Sequence, residues 1–194
     1  MKTVFADIDT QWDFLAPAGA LSVPGAAKLM PVIARLNQWA GQQGIPVIST
    51  MDAHAENDPE FRDWPAHCIA GTLGQQKPTA TLLEGRAVLK SVAGARVEPA
   101  ARQFLVEKQQ LDCFSNPNLI TLLGDLQAQR YVVYGVVTEY CVRCAAFGLL
   151  KTGARVELVT DAIQSLDPQA GARMLADFTE AGGVLTVADR ALSV

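Results

Sequence analysis

The chain is poor in the features that would give it a nucleic-acid, membrane or disulfide-dependent role. Its 16 lysines and arginines are scattered among 20 acidic residues, for a net charge of −4, and form no basic block. A nucleic-acid partner is therefore not expected. No apolar run is long enough to cross a bilayer. The N-terminal MKTVFADIDTQWDF meets Asp7 before a signal-peptide core can form, so a cytoplasmic protein without membrane attachment is expected. Four cysteines are present, and Cys141-Val-Arg-Cys144 has no second C-x-x-C to complete a zinc ligand set. A reducing compartment also disfavours structural disulfides. Repeats, low-complexity tracts and Pro/Gly-rich linkers are absent, so the 194 residues are expected to form a single domain, 1–194.

With 49% hydrophobic and 19% charged residues, the composition is that of a globular chain. Short Val/Ile-rich runs at Thr3–Ile8, Pro46–Ser49, Gln103–Val106, Tyr131–Val137, Arg155–Thr160 and Val184–Val187 predict six strands. Several are apolar at nearly every position, as strands buried on both faces are. Helical spacing predicts helices over Ala26–Gln43, Leu119–Gln129, Cys141–Lys151 and Pro168–Ala181. The last begins with an Asp N-cap and Pro at its first position. This alternation predicts an α/β fold of three layers, α/β/α, around a mostly parallel six-stranded sheet. Ligands of such sheets sit at the carboxyl ends of the strands, so residues just beyond each strand carry the chemistry. Thr10–Pro24, Met51–Leu89 and Lys108–Asn118 fall outside the rhythm. The second is long enough to be functional or to contain small further elements.

Four segments hold candidate groups. Asp9 ends the first strand, where a half-buried carboxylate can accept a proton; with Asp7 and Asp13 beside it, any of the three could equally cap a turn. The only two histidines, His54 and His67, lie in one segment with Asp52, Asp58 and Glu60. These types suit Zn²⁺, Fe²⁺ or Mn²⁺, and spacing alone supports a polar loop equally well. Lys108 follows a strand: turned inward it would lower the pKa of a thiol, turned outward it is an edge charge. Cys141 falls where a buried strand turns into a helix. Free N–H groups there favour a thiolate and an oxyanion, yet a cysteine in such a joint is most often a packing residue.

Taken together and in order, Asp9-Thr-Gln-Trp-Asp-Phe14, Asp52-Ala-His54, Trp64-Pro-Ala-His67-Cys68, Lys108 and Gly135-Val-Val-Thr-Glu-Tyr-Cys141-Val-Arg resemble the isochorismatase-like cysteine hydrolases. Within them the resemblance is to the nicotinamidase/pyrazinamidase group. It spans nearly the whole chain and implies the isochorismatase-like fold. It further implies Asp9, Lys108 and Cys141 as the catalytic set, and backbone N–H groups of Val137 and Cys141 as the oxyanion hole. Asp52, His54, Glu60 and His67 would hold a divalent metal ion (Zn, Fe or Mn), with Asp58 as the substitute for Glu60. Phe14 and Trp64 would contact substrate, and a cis peptide is implied at Val136–Val137. The activity implied is deamidation of nicotinamide, or a close aromatic carboxamide, through a thioester. Self-association is implied as well.

Two stretches depart from the pattern. His67 to Lys108 is long, with Leu83-Glu-Gly-Arg86 and Ala93-Gly-Ala-Arg96 lacking a role, and the Gln109–Asn118 loop carries few aromatics. The rival readings are a related hydrolase for ureido, carbamoyl or other non-aromatic amides, and, from another class, a binding protein with a Cys141–Cys144 redox switch. Isochorismatase itself is disfavoured, because vinyl-ether hydrolysis needs no cysteine at this place.

Overall fold

A computed structural model describes residues 1–98 and 100–193, so the last position of the expected 1–194 domain lies outside the described residues. The strands are β1 (Thr3–Ile8), β2 (Val47–Asp52), β3 (Arg86–Leu89), β4 (Gln103–Lys108), β5 (Arg130–Val136), β6 (Arg155–Gln164) and β7 (Val184–Thr186). They form one sheet in the order β3-β4-β2-β1-β5-β6-β7, and every pairing is parallel. The mostly parallel sheet is as expected, but among the described residues it has seven strands rather than six. The additional strand, β3, is a four-residue edge strand with two exposed positions. Three apolar residues after Arg86 are too short a run to stand out as a strand.

The helices are α1 (Trp12–Leu15), α2 (Met30–Gln42), α3 (Leu119–Leu126), α4 (Arg143–Leu150), α5 (Pro168–Glu180) and α6 (Ala188–Ala191). Helix α2 buries Ile33, Leu36 and Ala40 of the stripe its spacing predicts, and Asn37 beside them. It starts later than Ala26, which belongs to a separate 3₁₀ turn, Ala26–Leu29. Helix α3 stops at Leu126, where Gln127 takes a left-handed C-terminal conformation, short of the expected Gln129. At α5 the Asp167 carboxylate accepts the Gln169 N–H at 2.8 Å, and Pro168 stands at the start.

Side chains of the central strands alternate between two cores. Val4, Ala6 and Ile8 of β1 with Tyr131 and Val133 of β5 meet Leu119, Leu122, Ala145, Leu149, Met174 and Phe178 of α3, α4 and α5. Phe5 with Val132, Tyr134 and Val136 meets Ile33, Leu36 and Ala40 of α2 and Ala188 and Ala191 of α6. The period of two therefore yields the three layers expected. Each fully buried side chain of this size stabilises by about 1.5–3 kcal/mol. Successive strands are added outward from β1 to one side as β2, β4 and β3, and to the other as β5, β6 and β7. The switch point between β1 and β5 is where a crevice opens in such sheets.

Candidate active site

Asp9 leaves β1 beside this crevice with φ 50°, a left-handed conformation uncommon outside glycine. Thr50 on β2 holds it there: the Asp9 N–H donates to the Thr50 carbonyl at 3.2 Å, and the Thr50 hydroxyl donates to Asp9 Oδ1 at 2.6 Å. On the other flank, Gly135 has φ 124°, and a Cβ there would fall 2.1 Å from the Ile8 carbonyl oxygen. Only glycine lets β5 close on β1 at this point. The next peptide, Val136–Val137, is cis. The chain then forms a single π-helical turn, Thr138–Val142, and continues into α4. Cys141 is therefore on a π turn ahead of the helix rather than the first residue of a helix Cys141–Lys151. Local π geometry of this kind recurs at functional sites.

Lys108 ends β4 and is fully buried. Its ammonium lies 2.9 Å from Asp9 Oδ2, donates to Asp52 Oδ1, and is 3.7 Å from Cys141 Sγ. Lys108 thus turns inward, and the three candidate catalytic groups meet at one place. Burial opposes its charge, but Asp52 and Asp9 outweigh this and raise its pKa well above the usual lysine value. Burial pushes the Cys141 thiol up; Lys108 pulls the other way, and Asp9 reinforces the upward shift. Burial and Asp9 thus disfavour the thiolate, and Lys108 favours it.

Asp52 is the hinge between this cluster and the histidines. Its Oδ1 faces Lys108, while Oδ2 lies 3.9 Å from His54 Nε2 and 3.8 Å from His67 Nε2. These separations are too long for hydrogen bonds yet suit donors arranged about a common centre. One donor atom from each of Asp52, His54 and His67 lies within 4.8 Å of the others, and all three residues are buried. The far ring nitrogens face acceptors. His67 Nδ1 is 2.7 Å from the Pro65 carbonyl, and His54 Nδ1 is 3.1 Å from the Asp58 carboxylate without the alignment of a hydrogen bond. Outer contacts of this kind favour the tautomer that presents Nε2 to a metal. Among the described residues, neither buried ring nitrogen of His54 has a hydrogen-bond partner. The donor set thus fits a divalent ion. Asp58 is the partner of His54, which argues against it as the fourth ligand. Glu60 lies outside the three-residue cluster and lines the same cleft.

That cleft, about 320 Å³ with its open mouth, is lined by Phe14, Leu21, Asp52, Glu60, Trp64, His67, Leu111, Val137, Tyr140, Cys141 and Leu166. Phe14 and Trp64, the expected substrate contacts, both line its wall. Phe14 packs on the His67 ring at 5.4 Å, and Trp64 meets Tyr140 edge-on at 5.3 Å. Tyr140, Leu21, Leu111 and Leu166 were missed: single apolar residues from separate loops leave no pattern in the sequence. Gln11 was also missed. Its amide donates to the Asp52 carbonyl at 2.9 Å and accepts the Asp52 N–H at 2.7 Å, which fixes the end of β2. Its place two residues after Asp9 was the available signal. All four cysteines are free, Cys141 and Cys144 included.

An all-parallel α/β sheet thus brings a thiol, a lysine and a carboxylate together at its switch point. The model of the isochorismatase domain matches residues 4–190, and the chain belongs to that family. The nicotinamidase of Escherichia coli is 27% identical, over 94% of this chain and 93% of its own. The solved pyrazinamidase of Pyrococcus horikoshii in complex with zinc superposes with a TM-score of 0.82 at 27% identity, covering 96% of this chain and 99% of that one. An N-carbamoylsarcosine amidase from Arthrobacter is 24% identical over 78% of this chain and 54% of its own.

Proposed function

We propose that this chain deamidates nicotinamide, or a closely similar aromatic carboxamide, to the acid and ammonia through a thioester on Cys141. At the coarser level the chain is a hydrolase acting on amide bonds, as its relatives along the whole chain are. The observation that carries the finer reading is the joining of two clusters by Asp52, one oxygen toward Lys108 and Cys141, the other toward His54 and His67.

In this reading Asp9 takes the thiol proton from Cys141. The thiolate attacks the carboxamide carbon, and the N–H groups of Val137 and Cys141 hold the oxygen that becomes charged. The C–N bond breaks as Asp9 returns its proton to the leaving nitrogen, which departs as ammonia. Asp9 next takes a proton from water, whose oxygen attacks the thioester. The C–S bond breaks, releasing the acid, and the proton on Asp9 goes back to Cys141. Lys108, in contact with both Asp9 and Asp52, balances their negative charge and that of the thiolate as the proton moves. A divalent ion held by Asp52, His54, His67 and Glu60 would supply a Lewis-acid docking point for a ring nitrogen. Phe14 and Trp64 flank the ring, and Tyr140, packed on Trp64, extends that wall.

Ammonia release from nicotinamide, pyrazinamide and N-carbamoyl amides, measured on ion-loaded and chelated protein, tests the proposal. Turnover of the aromatic amides, with KM rising on chelation, is expected. Turnover of N-carbamoyl amides alone, indifferent to chelation, would replace this reading with the carbamoyl-amide one. Thiol titration checks the redox alternative, which requires reversible loss of two thiols and no amide turnover.

A further inference from the structure

Beneath the active site lies a second buried ion pair that the chemistry above does not use. Lys77 and Asp7 are both buried, with Lys77 Nζ 3.4 Å from Asp7 Oδ2. Asp7 is fully saturated: it also accepts from Asn37 at 3.1 Å, Ser49 at 3.0 Å and Thr10 at 2.6 Å. Lys77 also donates to the Thr10 hydroxyl at 3.0 Å, so that hydroxyl bridges ammonium and carboxylate. Thr10 directly follows Asp9, the residue with a left-handed backbone.

Lys77 closes a strap. Residues 74–77 run along residues 10–13: the Asp13 N–H donates to the Gly74 carbonyl at 3.0 Å, the Trp12 N–H to Gln76 at 2.9 Å, and the Gln11 amide to Gln75 at 2.7 Å. A Cβ at Gly74 would strike the Asp13 carboxylate at 2.2 Å, so the approach is close. Backbone bonds tie the strap to residues 12 and 13, whereas its tie to Thr10, the position next to Asp9, is the Lys77 side chain.

We infer that Lys77 is a positioning residue for the proton acceptor, acting through Thr10 to hold the Asp9 turn against Cys141. The inference rests on the reading of Cys141 and Asp9 given above. A buried ion pair that only stabilises the fold would behave otherwise. Removing one partner then destabilises, while replacing both relieves the unpaired charge, and activity follows stability. A positioning role separates the two.

The test is the rate of Cys141 alkylation by iodoacetamide, resolved from Cys144 by peptide mass spectrometry, alongside melting temperature, kcat and KM. The variants are K77M, D7N/K77M and Thr10→Val. K77M is expected to melt below wild type and D7N/K77M to regain most of that loss. In D7N/K77M and in Thr10→Val, Cys141 alkylation and kcat are expected to fall about tenfold or more, the scale of a slightly misplaced catalytic group, with KM within about twofold. Recovery of alkylation and kcat in D7N/K77M along with stability, or a wild-type rate in Thr10→Val, would overturn the positioning role. Alkylation does not depend on the substrate, so the assay stands whichever amide is turned over. A wild-type Cys141 that reacts no faster than Cys144 would instead bring down the nucleophile reading, and this inference with it.

Discussion

Two charge clusters near opposite ends of the sheet, one partly exposed and one buried, differ in how completely they are satisfied. Toward the amino ends of β5 and β6, Glu157 has one oxygen 2.7 Å from Arg130 and the other 2.6 Å from Arg155. Each carboxylate oxygen there faces a cation. At the carboxyl ends of β2 and β4, Asp52 has Lys108 on one oxygen, while the other stands 3.8–3.9 Å from two imidazole nitrogens. Closed clusters hold strands together; a cluster with donor atoms converging but not touching is prepared for something else. The contrast separates structural from functional charge, because a protein has no reason to desolvate groups and leave them unpaired unless a ligand completes them.

The sharpest way to break the comparison is at the functional end. Cys141→Ala should lower amide turnover by about 10⁴-fold or more and change stability by about 1 kcal/mol. Turnover near wild type in that variant would remove the nucleophile. Next is His54→Ala, which deletes a converging donor. Ion affinity should fall by more than about 100-fold, beyond the effect of losing an outer contact, and KM should rise while Cys141 still alkylates. Stoichiometric ion retained in the variant would show that the cluster is not the binding site. Smaller again is Asp58→Asn, which keeps an oxygen for the Glu60 N–H, 3.0 Å from Asp58 Oδ1, and removes the charge beside His54 Nδ1. Ion affinity should drop about 10–100-fold, followed by competition with a chromophoric chelator. An unchanged affinity would detach Asp58 from the ligand set.

The parts of this site that the sequence made legible are those that end strands. Asp9, Lys108 and Cys141 each follow a Val- or Leu-bearing run, so the strand pattern located them and the topology brought them together. Asp52 was legible as a candidate ligand, but its contact with Lys108 was not, because nothing in the sequence states that β2 and β4 are neighbours. Their register, Asp52 opposite Lys108, is a property of the strand order. Asp58 was weighed as a ligand, whereas the structure seats it behind His54. Spacing within a loop gives proximity to a site but not which side of an imidazole a carboxylate meets. Strand β3 was hidden for a different reason. It has only four residues, Arg86 and three apolar ones of which Val88 is exposed, and it pairs on one side only, with β4, so a run this short does not stand out from the long loop around it. Helix α5, by contrast, was legible nearly to the residue, since Asp167, Pro168 and Gly182 mark its ends in the local sequence.

The smallest effect tests the closed cluster. Burial pushes the Glu157 carboxyl up, but the hydrogen bonds and charges of Arg130 and Arg155 more than offset this and hold it below the usual glutamate range. A carboxyl whose folded pKa is lowered contributes its stability in full above the unfolded value of about 4.3. It loses that stability as pH falls through the lowered folded value. Glu157→Gln removes the charge at nearly constant shape. Because the Arg155 side chain is half exposed, the cost should be about 1–2 kcal/mol near neutral pH rather than that of a dry ion pair. The melting-temperature gap between wild type and variant should therefore be constant from about pH 6 to 8 and should narrow below about pH 4, where wild-type Glu157 also becomes neutral. Turnover and ion affinity should stay at wild-type values throughout, since the cluster lies away from the cleft. A gap that persists undiminished into acid would mean that packing, not charge, is what Glu157 contributes. A loss of turnover at neutral pH would mean that the two ends of the sheet are coupled, and the division between closed and open clusters would no longer hold for this protein.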